Sequence, residues 1–242
     1  MKIKEFLVKI KENVLEEIFP SSVSCYNCSG EIIESNKYHL CDNCLNKIEK
    51  IKNPCIKCGE ELNSFTKYCN NCKETKRYFN KVVSVAVYNG VAKDLVYKFK
   101  FGKEEYVANS IFPFVLDLFN EIKFIDIDLI LCVPLSKERL KTRGFNQSQI
   151  LAEMLSKETG ILFDNNVIVR KINTHTQTNL NKFERRKNLD NVFEVVNNVD
   201  IKDKNILIID DVITTGSTLN EMAKLLKKNK AKKVYGITFC HS

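Results

Sequence analysis

The sequence predicts an α/β fold: a parallel sheet with helices on both faces, preceded by a small cysteine-rich module. Three observations lead there. From residue 81 onward, apolar runs of strand length alternate with helical patterns. The run ILII at 206–209 is apolar at every position, as a central parallel strand buried on both faces requires. Eight of the ten cysteines stand as four C-x-x-C pairs between residues 25 and 72, in a stretch too poor in apolar residues to build a core unaided.

Residues 3–19 read as one amphipathic helix, with Phe6, Leu7, Ile10, Val14, Leu15 and Ile18 near helical spacing and Pro20 ending it. Its apolar face is expected to dock on the rest of the protein, with membrane-surface attachment as the alternative. Lys or Glu interrupts every apolar run near the N-terminus, so no signal peptide is expected. No run approaches the roughly 20 apolar residues that span a bilayer. The expectation is a cytoplasmic protein, with peripheral placement at the inner membrane face as the alternative. The chain divides into a helix at 1–20, a cysteine module at 21–80 and an α/β domain at 81–242. With 44% hydrophobic and 28% charged residues, disorder is excluded as a reading of the whole chain.

The pairs are Cys25/Cys28, Cys41/Cys44, Cys55/Cys58 and Cys69/Cys72, with 12 residues between the first two and 10 between the last two. Each knuckle supplies two thiolates from one tight turn, and two knuckles make a tetrahedral zinc site. Gly30 and Gly59 follow the first knuckle of each set, where such turns want small residues. Disulfides are disfavoured in a reducing compartment, and a thioredoxin-like role needs one C-x-x-C opening a helix. The expectation is two structural zinc sites with no open coordination position. Sequential pairing of the knuckles is favoured over an interleaved arrangement. Zinc would lower the formal net charge of +8 to about +4, because the bound thiols are deprotonated. Most of the basic excess lies beyond residue 80, which suits a phosphate-bearing partner.

In the α/β part, a strand at 82–88 precedes helical segments across 91–122. A strand follows at 129–133, then a helix at about 146–159 and a short strand at 166–170. The stretch 172–190 is polar, and strands near 192–196 and 205–209, a helix at 217–229 and a strand at 233–240 complete the order. Cys132 reads as a buried strand residue, while Cys240 and His241 have no partner in reach by sequence.

The segment ILIIDDVITTGSTL, 206–219, carries the chemistry. The strand delivers Asp210 and Asp211 to the carboxyl edge, where ligands of open α/β sheets bind. A triphosphatase would need G-x-x-x-x-G-K-[ST], which is absent; FGKE at 101–104 lacks the first glycine and the Ser/Thr. No G-x-G-x-x-G exists either. Thr214, Thr215, Gly216, Ser217 and Thr218 instead open a helix, where backbone N–H groups, hydroxyls and a flexible glycine suit one phosphate. Two carboxylates beside it would repel a polyphosphate but suit a diol, and a ribose 5-phosphate has both parts.

Apolar residues, DD and VITTGST resemble the signature of the type I phosphoribosyltransferases, which bind phosphoribosyl pyrophosphate (PRPP). The resemblance implies a ribose and magnesium role for Asp210 and Asp211 and a 5-phosphate role for Thr214–Thr218. It implies a pyrophosphate loop at Pro134, Leu135, Ser136 and Lys137, with Arg139, Lys141 and Arg143 crowding positive charge near it. It also implies a mobile loop within 170–195, where Arg185, Arg186 and Lys187 would neutralise the pyrophosphate; His175 reads as a loop residue. The paired cysteines, VYKFKFG, PLSKERLKTRGFNQS, T-x-T-Q-T-x-L…R-R-x-N and DDVITTGST together resemble the ComF family of competence proteins over essentially the whole chain. That resemblance implies a double zinc-ribbon module joined to a type I phosphoribosyltransferase-like domain, acting in uptake of transforming single-stranded DNA.

Two functional readings follow. In the first, the chain keeps a PRPP site and binds internalised single-stranded DNA, with contacts from Lys98, Lys100, Lys103, Arg139 and Arg143 and a competence helicase or DNA-processing protein as partner. Aromatics alternating with lysines in VYKFKFGK fit such binding, although Leu95, Val96 and Phe99 also fit the inner face of a helix. Lys224, Lys227, Lys228, Lys230, Lys232 and Lys233 read mainly as a solvated face. In the second reading, an active enzyme transfers phosphoribose from PRPP, with magnesium, to a nitrogen acceptor in nucleotide metabolism or salvage. No residue set names that acceptor and no catalytic base is assigned. A third reading is an adaptor whose zinc module docks on a protein partner.

Overall fold

The computed structural model describes residues 24–122, 126–171, 192–196 and 200–242. The N-terminal helix expected at 3–19, His175 and the trio Arg185, Arg186 and Lys187 lie outside the described residues.

Two short helices, α1 (Asp42–Leu45) and α2 (Asn70–Glu74), each start at the second knuckle of a cysteine set. Then come β1 (Lys81–Val87), α3 (Gly90–Phe101), a 3₁₀ turn (Glu105–Val107), α4 (Ala108–Ile122), β2 (Leu129–Cys132), α5 (Lys137–Arg143) and α6 (Gln147–Thr159). The chain closes with β3 (Ile168–Arg170), β4 (Phe193–Val195), β5 (Asn205–Ile213), α7 (Ser217–Lys228) and β6 (Lys233–His241). Four strands form one parallel sheet in the order β1-β6-β5-β2.

The sheet is apolar on both faces because successive side chains alternate across it. Leu207 and Ile209 join Leu95, Phe99, Ile111, Leu151 and Leu155 under α3, α4 and α6. Ile206 and Ile208 join Leu219, Met222 and Leu226 of α7 on the other face. The cysteine module straddles these two layers. Cys25 and Cys44 share the first cluster, whereas Cys55, Cys58 and Cys69 share the second.

The module also covers the outer edge of β1. The Ile51 N–H donates to the Val85 carbonyl at 3.1 Å, Val87 N–H to Glu49 at 2.9 Å, and Val82 N–H to Lys57 at 2.9 Å. An edge strand left bare would be a template for association.

The structure corrects the sequence reading in three places. The strands near 166–170 and 192–196 form a separate antiparallel pair, too short to extend the sheet. Residues 137–143 form a helix of their own, not a loop running to Asn146. Ser136 caps it by accepting from the Arg139 N–H at 3.3 Å, and Gly144 ends it at φ 88°. Strand β5 continues to Ile213, paired with His241 of β6, so both aspartates lie within hydrogen-bonded strand.

Candidate functional site

Parallel β2 and β5 are neighbours, and the Val133 N–H donates to the Ile209 carbonyl at 3.1 Å. The connection after β2 and the segment after β5 therefore leave the same edge side by side. Pro134, Leu135, Ser136 and Lys137 therefore follow β2 at the sheet edge where β5 carries Asp210 and Asp211. Asn146, at the start of α6, holds the β2 exit by donating from Nδ2 to the Val133 carbonyl at 3.1 Å.

Asp210 and Asp211 have distinct surroundings. Ser148 Oγ donates to Asp210 Oδ1 at 2.8 Å, and the Asp211 N–H donates to the same oxygen at 2.9 Å. Burial, and then the charge of Asp211, push the Asp210 carboxyl up to about 7. Asp211 is buried and paired with Lys100, whose Nζ lies 2.9 Å from Oδ1. Neither Lys100 nor Ser148 was assigned to the aspartates from sequence. The signal was their position: Lys100 lies in the last turn of α3 before Gly102, and Ser148 follows the FNQ that opens α6.

The TTGST turn is built around Gly216, which has φ 70° as the N-cap of α7 and offers the helix no side-chain cap. Thr215 Oγ1 and Ser217 Oγ are 2.8 Å apart. The first amides of a helix lack internal partners, so hydroxyls and N–H groups converge where an anion can sit.

The structure divides the basic residues expected to contact DNA. Lys98 Nζ donates to the carbonyls of Tyr26 and Asn27 in the first knuckle, and Lys100 serves Asp211. Both therefore have partners inside the fold. Lys103 and Arg139 are exposed. Arg143 donates to Gln147 Oε1 at 3.1 Å and its guanidinium lies 5.4 Å from the Phe101 ring centroid. Tyr97 and Phe101 are 61% and 59% exposed, while Leu95, Val96 and Phe99 form the buried face of α3. Of the second lysine cluster, Lys224 approaches Glu221 at 3.6 Å and Lys227 donates to the Lys232 carbonyl.

Each cysteine tetrad converges. The sulfurs of Cys25, Cys28, Cys41 and Cys44 lie within 4.8 Å of one another, as do those of Cys55, Cys58, Cys69 and Cys72. The Cys28–Cys41 and Cys58–Cys69 separations are 3.7 and 3.6 Å. A tetrahedron of sulfurs about zinc has edges of about 3.8 Å, so the donor sets fit the ion. Pairing is sequential. The thiols also behave as a set wanting a cation. Cys72 is held down to about 5, first by its hydrogen bond with Cys58 and also by the Arg77 guanidinium, while burial raises Cys44 and Cys69 to about 12. Four thiols this close cannot all ionise without a positive ion among them.

The second tetrad abuts the anion turn. Asn71, between Cys69 and Cys72, donates from Nδ2 to the Thr215 carbonyl at 3.1 Å. Asn220 of α7 accepts from the Tyr78 N–H at 2.7 Å and donates to the Lys76 carbonyl at 3.3 Å. His241 is buried at the end of β6, with ligand atoms of Cys58 and Glu60 within 4.8 Å of its ring nitrogen. None of these contacts was legible locally, because all are long-range.

Residues 140–241 match the family described as "Phosphoribosyl transferase domain". The chain is 33% identical to "Competence protein F" of Haemophilus influenzae over 84% of this chain and 90% of that protein. It is 30% identical to "Competence protein ComFC" of Bacillus subtilis, over 84% of each. It is 29% identical to "DNA utilization protein YhgH" of Escherichia coli K12, over 84% of this chain and 90% of the other. With its cysteine tetrads, parallel sheet and DD-VITTGST segment in one chain, this protein belongs to the ComF family of competence proteins.

Proposed function

We propose that the chain binds PRPP with magnesium at the β5–α7 edge and acts in DNA uptake by binding internalised single-stranded DNA. One observation carries the first part: Asp210 and Asp211 follow the apolar run of a central strand that continues to Ile213 and leads into the Gly216-centred start of α7, on the sheet edge that the 134–137 connection also leaves. The carboxylates suit the ribose diol, Thr214–Thr218 the 5-phosphate, and Pro134–Lys137 the pyrophosphate. Magnesium would neutralise the pyrophosphate; Lys100 already balances Asp211. Zinc in both tetrads would supply structure, since four thiolates leave no open position.

The DNA part is supported by the printed names of the relatives, "Competence protein F" and "DNA utilization protein YhgH". It is also supported by exposed Tyr97 and Phe101 beside Arg143, an aromatic and basic surface of the kind that stacks single-stranded bases.

The decisive experiment is calorimetric titration with PRPP and magnesium. Saturable binding that disappears in Asp210→Ala/Asp211→Ala supports the site; unaltered affinity in that variant overturns it. Single-strand binding should weaken with rising salt. Pyrophosphate release on adding bases or DNA would turn the binder into an enzyme.

A further inference from the structure

The cysteine module brings a cation of its own to the anion turn of the α/β domain. Arg77 follows α2 and precedes β1, and its guanidinium lies over the Phe79 ring at 5.7 Å from the centroid. A Cβ placed on Gly216 would be 3.6 Å from Arg77 Nη1, so this nitrogen stands beside Gly216 of the TTGST turn. Nε and Nη2 of the same guanidinium are shielded from solvent and have no hydrogen-bond partner among the described residues. Arg77 is half-buried as a residue, and guanidinium donors shielded from water are costly to leave unmatched unless something completes them. The neighbouring Asn71–Thr215 and Tyr78–Asn220 hydrogen bonds fix the segment 71–78 against the turn and α7, so Arg77 is held where it stands.

We propose that Arg77 is a ligand of the phosphate monoester held by the TTGST turn, so that the site is complete only with the cysteine module in place. This rests on reading 214–218 as a phosphate cradle and adds a residue from outside the phosphoribosyltransferase-like domain. The planar fork of arginine matches two phosphate oxygens. A competing role is visible too: Arg77 lies beside Cys72 and could serve only as counter-charge to the thiolates.

The test uses the full zinc-loaded chain, titrated calorimetrically with ribose 5-phosphate and with PRPP plus magnesium, and assayed for zinc content. Arg77→Ala should bind both ligands about 10- to 100-fold more weakly, and Arg77→Lys should recover only part of the loss. Wild-type zinc content in Arg77→Lys, with weakened binding, separates ligand loss from a damaged module. Equal affinity in wild type and Arg77→Ala overturns the proposal and leaves the phosphate reading standing. Lowered zinc content in Arg77→Ala with unchanged affinity also overturns it, in favour of the counter-charge role. If the wild-type chain binds neither ligand, the phosphate reading fails first and the Arg77 assignment falls with it.

Discussion

The ammonium of Lys100 stands 2.9 Å from Oδ1 of Asp211, with the two side chains 18% and 7% exposed. A helix that looked like a DNA-facing surface thus delivers the counter-ion of the strand-end carboxylates. Removing it leaves a buried charge beside Asp210. Lys100→Met is expected to cost about 3 kcal/mol of stability at pH 7.5, measured by urea unfolding. The loss should shrink at pH 5.5, where Asp210 keeps its proton and one charge fewer remains uncompensated.

Asp210 itself sets a pH dependence. Its carboxyl is raised from 3.8 to about 7 in the folded chain by burial and by Asp211. A raised carboxyl supplies stability that is present below about pH 4 and is lost as pH climbs through about 7. Asp210→Asn should flatten that slope in thermal melts and leave the variant more stable than the parent at pH 8. PRPP affinity of the parent should rise from pH 6 to pH 8, since the diol needs an acceptor carboxylate. A flat affinity profile would count against Asp210 as that acceptor.

Gly216 has φ 70°, and an added Cβ would lie 3.3 Å from Ile213 Cδ1. Gly216→Ala should cost about 1–2 kcal/mol through the left-handed backbone alone. Phosphate affinity should drop at least tenfold, because the amides that meet the anion move with that residue. Ribose 5-phosphate titration beside a chemical melt separates the two effects.

Gly59 and Gly30 look equivalent in sequence and are not. Gly59 has φ 77°, and its Cβ would come within 3.0 Å of the Val82 carbonyl and 3.2 Å of the Ser84 nitrogen, both backbone of β1. Gly30 would meet only Cys28 Sγ, at 3.3 Å. Metal analysis should return two zinc ions for the parent and for Gly30→Ala. Gly59→Ala should retain one, with a lowered melting temperature, because a strand backbone cannot give way.

Much of the fold was readable because it follows from local pattern. The apolar run of β5, the amphipathic spacing of α6 and α7 and the C-x-x-C turns each announce themselves within a few residues. The helix at 137–143 was missed although Ser136 and Gly144 are ordinary start and stop residues. Its charged surface buries nothing, so no apolar period marked it. The short β3–β4 pair was found as strands but misplaced in the sheet, since three residues carry no information about partner or direction.

By itself, the sequence determined the order of the main strands and of the helices after β2 and β5, the two cysteine sets and the strand–DD–TTGST unit, all encoded by neighbours along the chain. Only the tertiary structure decided that the two tetrads lie on opposite faces of the sheet, that Lys100 belongs to Asp211, and that Arg77 meets Gly216. The physical reason is separation: the Asn71–Thr215 bond that ties module to turn joins residues 144 positions apart. Such contacts are chosen by which faces must leave water together, and no local period records that choice.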